Sequence, residues 1–259
     1  MSNSTLFRSS SDAPSESPSA SQLDPALAPT HIIDCQHPVV REFALLHTGG
    51  AQSAKESAIR LYYAVRDGIR YDPYEAAITP DTLRASAALA AGRGWCVSKA
   101  VLLAAACRAV GIPARLGFAD VRNHLSTARM REHMKTDVFY WHGYTSIAVG
   151  EGGRWVKATP AFNIELCEKF GFLALEFDGE NDSLYQPLDR EGRRHMEYVN
   201  ERGQFDDVPL DEIRATFAEV YPFMDLDSSG SSSALGEEAD FDRDVEAEVT
   251  APGSPARSL

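Results

Sequence analysis

The apolar positions of the chain change period along its length, and the change marks out its elements. In AQSAKESAIRLYYAVRDG (51–68) apolar residues stand at 54, 58, 61, 62 and 65, the spacing of one helical face. That block ends at a glycine, and IRYDPY then makes a proline-containing turn. TPDTLRASAALAAG (79–92) predicts a second helix, with Thr79 or Asp81 as cap and Gly92 as stop. After Cys96, a stripe of Val97, Val101, Ala104 and Cys107 predicts a third, stopped by Gly111 with Pro113 beyond. The period then falls to two. ARLGFADV (114–121) alternates as a strand, and VFYWHGYTSIAV (138–149) with RWVKAT (154–159) around a GEGG turn predicts a β-hairpin. HIIDCQHPVV (31–40) alternates too, until Pro38 cuts it off, and RNHLSTARMREHMKT (122–136) is a polar excursion with room for one helix. ELCEKFGF and VPLDEIRATFAEVYP (208–222) predict the closing helices. Helices first and an antiparallel sheet later predict an α+β fold.

Composition sets the ends apart. Residues 1–30 are rich in Ser, Pro and Ala, and 225–259 are a Ser/Gly run followed by an acidic block. Neither promises enough apolar burial to offset its ordering entropy, so both are expected to be disordered tails around one domain at 31–224. The net charge of −13 sits mostly in those tails. The mildly acidic domain between them has no basic stripe, which argues against nucleic acid as a partner. No segment approaches the ~18 apolar residues of a membrane span, and the N-terminus lacks the apolar run of a secretory signal. Four scattered cysteines (35, 96, 107 and 167) then fit free thiols in a reducing cytoplasm.

The cysteines are not a metal site by spacing. Cys96 and Cys107 are eleven residues apart, about 16 Å along a helix, too far to share an ion. Cys35 and Cys167 have no histidine at ligand spacing and read as ordinary thiols. FDGENDS also lacks the ordered ligand pattern of a calcium loop, so Asp178, Glu180, Asp182 and Asp189 read as a solvated loop, one placed to frame a substrate cleft. No metal and no cofactor is expected. Cys107 belongs to the apolar stripe and reads as core. Cys96 follows Gly92-Arg93-Gly94 in the first turn of its helix, where free N–H groups and the positive dipole end favour a thiolate below the ~8.5 of a free thiol. The alternative for Cys96 is a small residue filling a tight turn.

Of the histidines, His31, His37, His47, His124, His133 and His195 lie in polar surroundings, whereas His142 lies among aromatics in the long strand. A hairpin loop of two or four residues would pair positions whose numbers sum to 303. His142 would then face Ala161, with Thr159 and Asn163 diagonal to it on one face. A three-residue loop would put them on the opposite face. Either Thr159 or Asn163 could orient the imidazole.

Taken together, GWCVSKAVLLAAACRAVGIPAR, the strand with WHGYTSIAV, and RWVKATP resemble the transglutaminase-like superfamily, the papain-related cysteine enzymes. The resemblance runs from about Gly92 to Asn163. It implies a papain-like core in which the helix headed by the nucleophile packs on an antiparallel sheet. It also implies Cys96 as nucleophile, His142 as base, and a third residue after the Trp155-Val156 pair. There the family carries Asp and this chain carries Thr159, a neutral residue that can orient the ring without lending it charge.

The expected activity is attack of Cys96 on an amide or related acyl group of a peptide or protein, through a thioester. Thr159, or alternatively Asn163, would orient His142. The backbone N–H of Cys96 with the Trp95 region would stabilise the oxyanion. Water is favoured over an amine as acceptor because it needs no second site. The alternative from another class is an inert binding module that keeps the fold, consistent with the missing acid. A plain structural domain ranks third.

Overall fold

Pro38, which breaks the apolar alternation at 31–40, starts a helix instead of ending a strand. In this computed structural model, which describes residues 24–123, 126–185, 190, 192, 196–227 and 239–250, helix α1 spans Pro38–Thr48 with the proline in its first turn. There the fixed φ and missing N–H suit a helix start. Residues 31–37 make turns that still bury Ile32 and Ile33. Helix α2 (Ala54–Gly68) is capped by Ser53, whose side chain accepts from the Glu56 amide. The two-residue strand β1 (Arg70–Tyr71) follows.

The second predicted helix is shorter than its 79–92 pattern. The Thr79 and Thr82 hydroxyls each take the other residue's backbone N–H at 3.2 Å and tie a turn, so α3 covers only Ala85–Ala91. It ends at Gly92 with φ +62°, which a glycine adopts without steric cost. β2 (Arg93–Gly94) pairs in parallel with β1, and α4 (Cys96–Ala109) begins directly after Trp95. α4 has no single apolar stripe. Every residue from Cys96 to Arg108 is buried, because α1, α2 and α3 pack around it and the sheet covers its remaining side. VLLAAA is the sequence of a central helix, apolar all round.

The sheet has strands β3 (Ala114–Asn123), β4 (Val138–Gly150), β5 (Arg154–Ala158) and β6 (Met196–Phe205), antiparallel in the order β5-β4-β3-β6. Between them lie α5 (Ala128–Met134) and α6 (Ile164–Phe170), followed by α7 (Leu210–Val220) and α8 (Phe241–Thr250). The architecture is α+β, with α4 packed on an antiparallel sheet. β6 was not legible as a strand, because MEYVNERGQF is a polar edge strand with no clear apolar alternation.

The hairpin turn is the three-residue Glu151–Gly153, the length that should have reversed the faces. A bulge between Ala148 and Gly150 adds the missing residue. Thr145 therefore pairs with Ala158 and Ala148 with Trp155, both on the 303 register. β5 stops at Ala158, so the pairing does not extend to Asn163.

The tail boundaries also shift. Residues 1–23, 228–238 and 251–259 lie outside the described residues, as do His124, Asp189 and His195. Residues 24–30, read as tail, are packed: Ala26 is fully buried and its carbonyl accepts from the Ala114 amide. In the acidic block, α8 forms with Phe241 and Val245 buried. Two apolar residues four apart suffice because waiting partners receive them. Phe241 meets the rings of Tyr71 and Tyr74, and Asp244 binds Arg129 at 2.6 Å.

Candidate active site

Cys96 opens α4. The backbone amides of Gly143, Val97 and Cys96 itself favour its thiolate. The Gly143 amide comes from β4, directly after His142. Gly143 lies so close to α4 that a Cβ there would stand 3.0 Å from the Cα of Val97, so the close approach of strand to helix depends on this glycine. Thr145 fastens the same contact, its hydroxyl donating to the carbonyl of Ala100 at 2.9 Å.

Burial outweighs the amides. The Cys96 thiol is pushed up to about 11 by desolvation. The expectation of a thiol ionised below ~8.5 therefore does not hold in the closed site. The helix start is present, but protein covers it. The other thiols are raised as well, Cys107 to about 12 and Cys167 to about 11, in both cases by burial. Cys96 is distinguished by its amides and not by its ionisation.

His142 is buried on the other face of β4, opposite Ala119 on β3. It lines a pocket with Thr159, Phe162, Cys167 and Tyr185, whose free volume of about 10 Å³ is room for roughly one water. The 173–185 segment closes this pocket through Leu173, Leu175, Leu184 and Tyr185. It is held to the sheet edge by a hydrogen bond of 2.8 Å from the Thr159 amide to the Ser183 carbonyl, and another of 2.8 Å from the Ser183 amide to Lys157. Read as a solvated loop framing a cleft, this segment does wall the pocket with part of its length and faces solvent with the rest. Asp178 turns outward and its carboxyl falls to about 2, held by the amides of Glu180 and Asn181.

The two candidate orienters separate. Thr159 Oγ1 is buried beside His142 and has no hydrogen-bond partner among the described residues. Asn163 caps the start of α6, and both ends of its amide are engaged, Oδ1 by the Tyr71 amide at 3.0 Å and Nδ2 by Glu165 at 2.8 Å. It does not line the His142 pocket. Trp95 also departs from its expected role. Its backbone N–H donates to Ser98 Oγ at 3.0 Å in a capping box, so it is not open to an oxyanion, while the residue borders a separate cleft of about 400 Å³ with Gly94 and Arg93.

Two features had no sequence signal. Lys99, one turn after Cys96, is wholly buried, and its ammonium donates to the carbonyls of Arg66 at 2.9 Å and Ile69 at 2.5 Å at the end of α2. Burial pulls it down to about 7. Trp141, just before His142, has φ +58°, a left-handed conformation rare outside glycine. Among the described residues no three His, Cys, Asp or Glu side chains gather as a metal site, and no helix is long and apolar enough to cross a membrane.

Residues 41–160 match the family model described as the transglutaminase-like superfamily. Among solved structures, a candidate cysteine protease from Cytophaga hutchinsonii is 15% identical with a TM-score of 0.41, covering 71% of this chain and 55% of its own. A candidate protease from Parabacteroides distasonis is 18% identical with a TM-score of 0.35, covering 51% of this chain and 25% of its own. This chain thus spans about half the length of the first and a quarter of the second. No curated protein matches.

Proposed function

Residues 41–160 belong to the transglutaminase-like superfamily, and on that premise we propose that the protein is a cysteine-dependent enzyme acting on an amide or acyl group of a peptide or protein. The observation that carries this reading is the close packing of Gly143, the residue after His142, on the first turn of α4, where a Cβ would stand 3.0 Å from Val97 Cα and 3.4 Å from the Cys96 carbonyl oxygen. With the thiol raised to about 11, no preformed thiolate is available at neutral pH. His142 takes the proton as Sγ attacks the carbonyl carbon. The C–N bond then breaks, His142 returns the proton to the leaving amine, and a thioester remains on Cys96. Thr159, whose buried hydroxyl has no other partner among the described residues, is the residue beside His142 assigned to orient the imidazole when the site is occupied. The Cys96 amide at the α4 start donates to the oxyanion.

Water resolves the thioester in preference to an amine, since no second substrate site is needed. No cofactor enters these steps. Four free thiols suit a reducing compartment such as the cytoplasm.

The test is a pre-steady-state burst with p-nitrophenyl acetate. The wild-type protein should release one equivalent of p-nitrophenolate and carry an acetyl group on Cys96 by mass spectrometry, while Cys96→Ala and His142→Ala lose the burst. The inert-module reading draws on the nearly filled pocket beside His142. A wild-type protein that releases no more p-nitrophenolate than Cys96→Ala would establish it.

A further inference from the structure

β4 is out of phase with itself. At its C-terminal end Gly143 and Thr145 face α4, so His142 faces away, onto the pocket shared with Met196 and Tyr185. At its N-terminal end Phe139 packs in that same outer cluster, with Ala119, Val121 and Met196. Strict alternation from Phe139 would turn Tyr140 inward, Trp141 outward and His142 inward onto α4. Both ends are satisfied only because one residue is added between them. Phe139 pairs with Val121 and His142 with Ala119, so Tyr140 and Trp141 together oppose the single Asp120. Trp141 takes the left-handed φ of +58° that this bulge requires.

Such a conformation in a non-glycine residue is strained and needs outside support. Asp120 supplies it. Only 4% exposed, it accepts the Trp141 amide on Oδ1 at 3.2 Å. Its two oxygens also receive Arg202 Nε at 2.9 and 3.1 Å, and Asn200 reaches Oδ2 at 3.4 Å. Arg202 is itself the extra residue of a bulge in β6, since Phe118 pairs with Gly203 and Ala119 with Glu201. Its guanidinium lies 4.7 Å from the centre of the Trp141 ring, and the indole N–H donates to Thr216 at 2.9 Å. Two bulges thus meet at one buried carboxylate.

We propose that Asp120 is a positioning residue: by holding the Trp141 bulge, together with Arg202, it turns His142 off the α4 face and into the pocket it shares with Thr159, the residue proposed to orient it. This rests on His142 being the base. Asp120 touches neither sulfur nor imidazole in this role and acts through the backbone of residue 141.

The experiment compares Asp120→Asn, which keeps an acceptor oxygen for the Trp141 amide, with Asp120→Ala, which does not. Two readouts are taken: the acylation rate with p-nitrophenyl acetate, and the titration midpoint of His142 by NMR. Asp120→Ala should acylate at least about tenfold more slowly and shift the His142 midpoint, while Asp120→Asn stays within about threefold with the midpoint unmoved. A folded Asp120→Ala with both readouts at wild-type values overturns the proposal, as does Asp120→Asn failing as badly as Asp120→Ala. If Asp120→Ala does not fold, Trp141→Gly and Trp141→Val decide. Glycine accepts φ +58° and should keep the midpoint, whereas valine resists it and should shift the midpoint; identical midpoints overturn the proposal. If wild type and Cys96→Ala release p-nitrophenolate equally, the enzyme reading has failed, and the His142 titration still decides the bulge.

Discussion

Asn163 holds the backbone of Tyr71, its Oδ1 accepting the Tyr71 N–H at 3.0 Å while its Nδ2 donates to Glu165. A side chain committed at both ends is a tie between α6 and β1. Asn163→Ala should therefore cost stability, about 1–3 kcal/mol for a buried amide left unpaired. It should leave the acylation rate of the folded protein within about twofold. Thr159→Val, which keeps the shape and removes the hydroxyl, should slow acylation at least about fivefold with little change in Tm. Thermal melts and burst kinetics on both variants check this, and the reverse pattern would move the orienting role to Asn163.

The thiol buried at about 11 makes a specific pH signature. In His142→Ala, alkylation of Cys96 by iodoacetamide should be slow at neutral pH and climb steadily toward pH 11 as the thiol ionises unaided. In the wild-type protein a second, lower rise should appear where the imidazole loses its proton and becomes a base. Mass-spectrometric mapping across pH 6–11 reads both. Two superimposable profiles would remove His142 from the proton transfer.

Lys99 links stability to pH. Its unfolded ammonium titrates near ~10.4, and its folded one at about 7. Between those values the unfolded chain holds the extra proton, so stability rises with pH through that window and is flat in this contribution below it. The slope is at most about 1.4 kcal/mol per pH unit. The neutral amine keeps two N–H donors, enough for the carbonyls of Arg66 and Ile69. Lys99→Met should abolish the slope and, by orphaning both carbonyls, lower stability by about 2–4 kcal/mol. Urea melts at pH 7, 8 and 9 on both proteins provide the comparison.

The acidic C-terminal block should contribute to stability. Ending the chain after Asp227 removes Phe241 and Val245 from their buried places and breaks the Asp244–Arg129 and Asp242–Arg70 pairs. A loss of about 2–3 kcal/mol, or roughly 4–10 °C in Tm, is expected. Most of it should be reproduced by Phe241→Ala alone and little of it by Asp242→Asn, because exposed ion pairs contribute little. Calorimetry separates the three.

The sequence by itself determined the order and type of the central elements and singled out the three residues to which the proposed chemistry is assigned. Local period and punctuation suffice for that: a glycine-bracketed turn before Cys96, Gly111 and Pro113 after its helix, and alternation through His142 to Thr159. Even the hairpin register was legible, though for a reason the count of loop residues did not contain, since a bulge made good the odd turn. Tertiary structure decided the rest. β6 and α8 are stabilised by the partners they dock on, so their own patterns are weak. The ionisation of Cys96 follows from what covers it, and the sequence near Cys96 shows only the helix start that opposes that effect. The face that His142 presents depends on one bulged residue, held by Asp120 from a strand some twenty positions earlier and by Arg202 from one some sixty later. A period-two pattern shows which residues alternate. It carries no mark where the alternation slips, because the slip is stabilised by contacts distant in the chain.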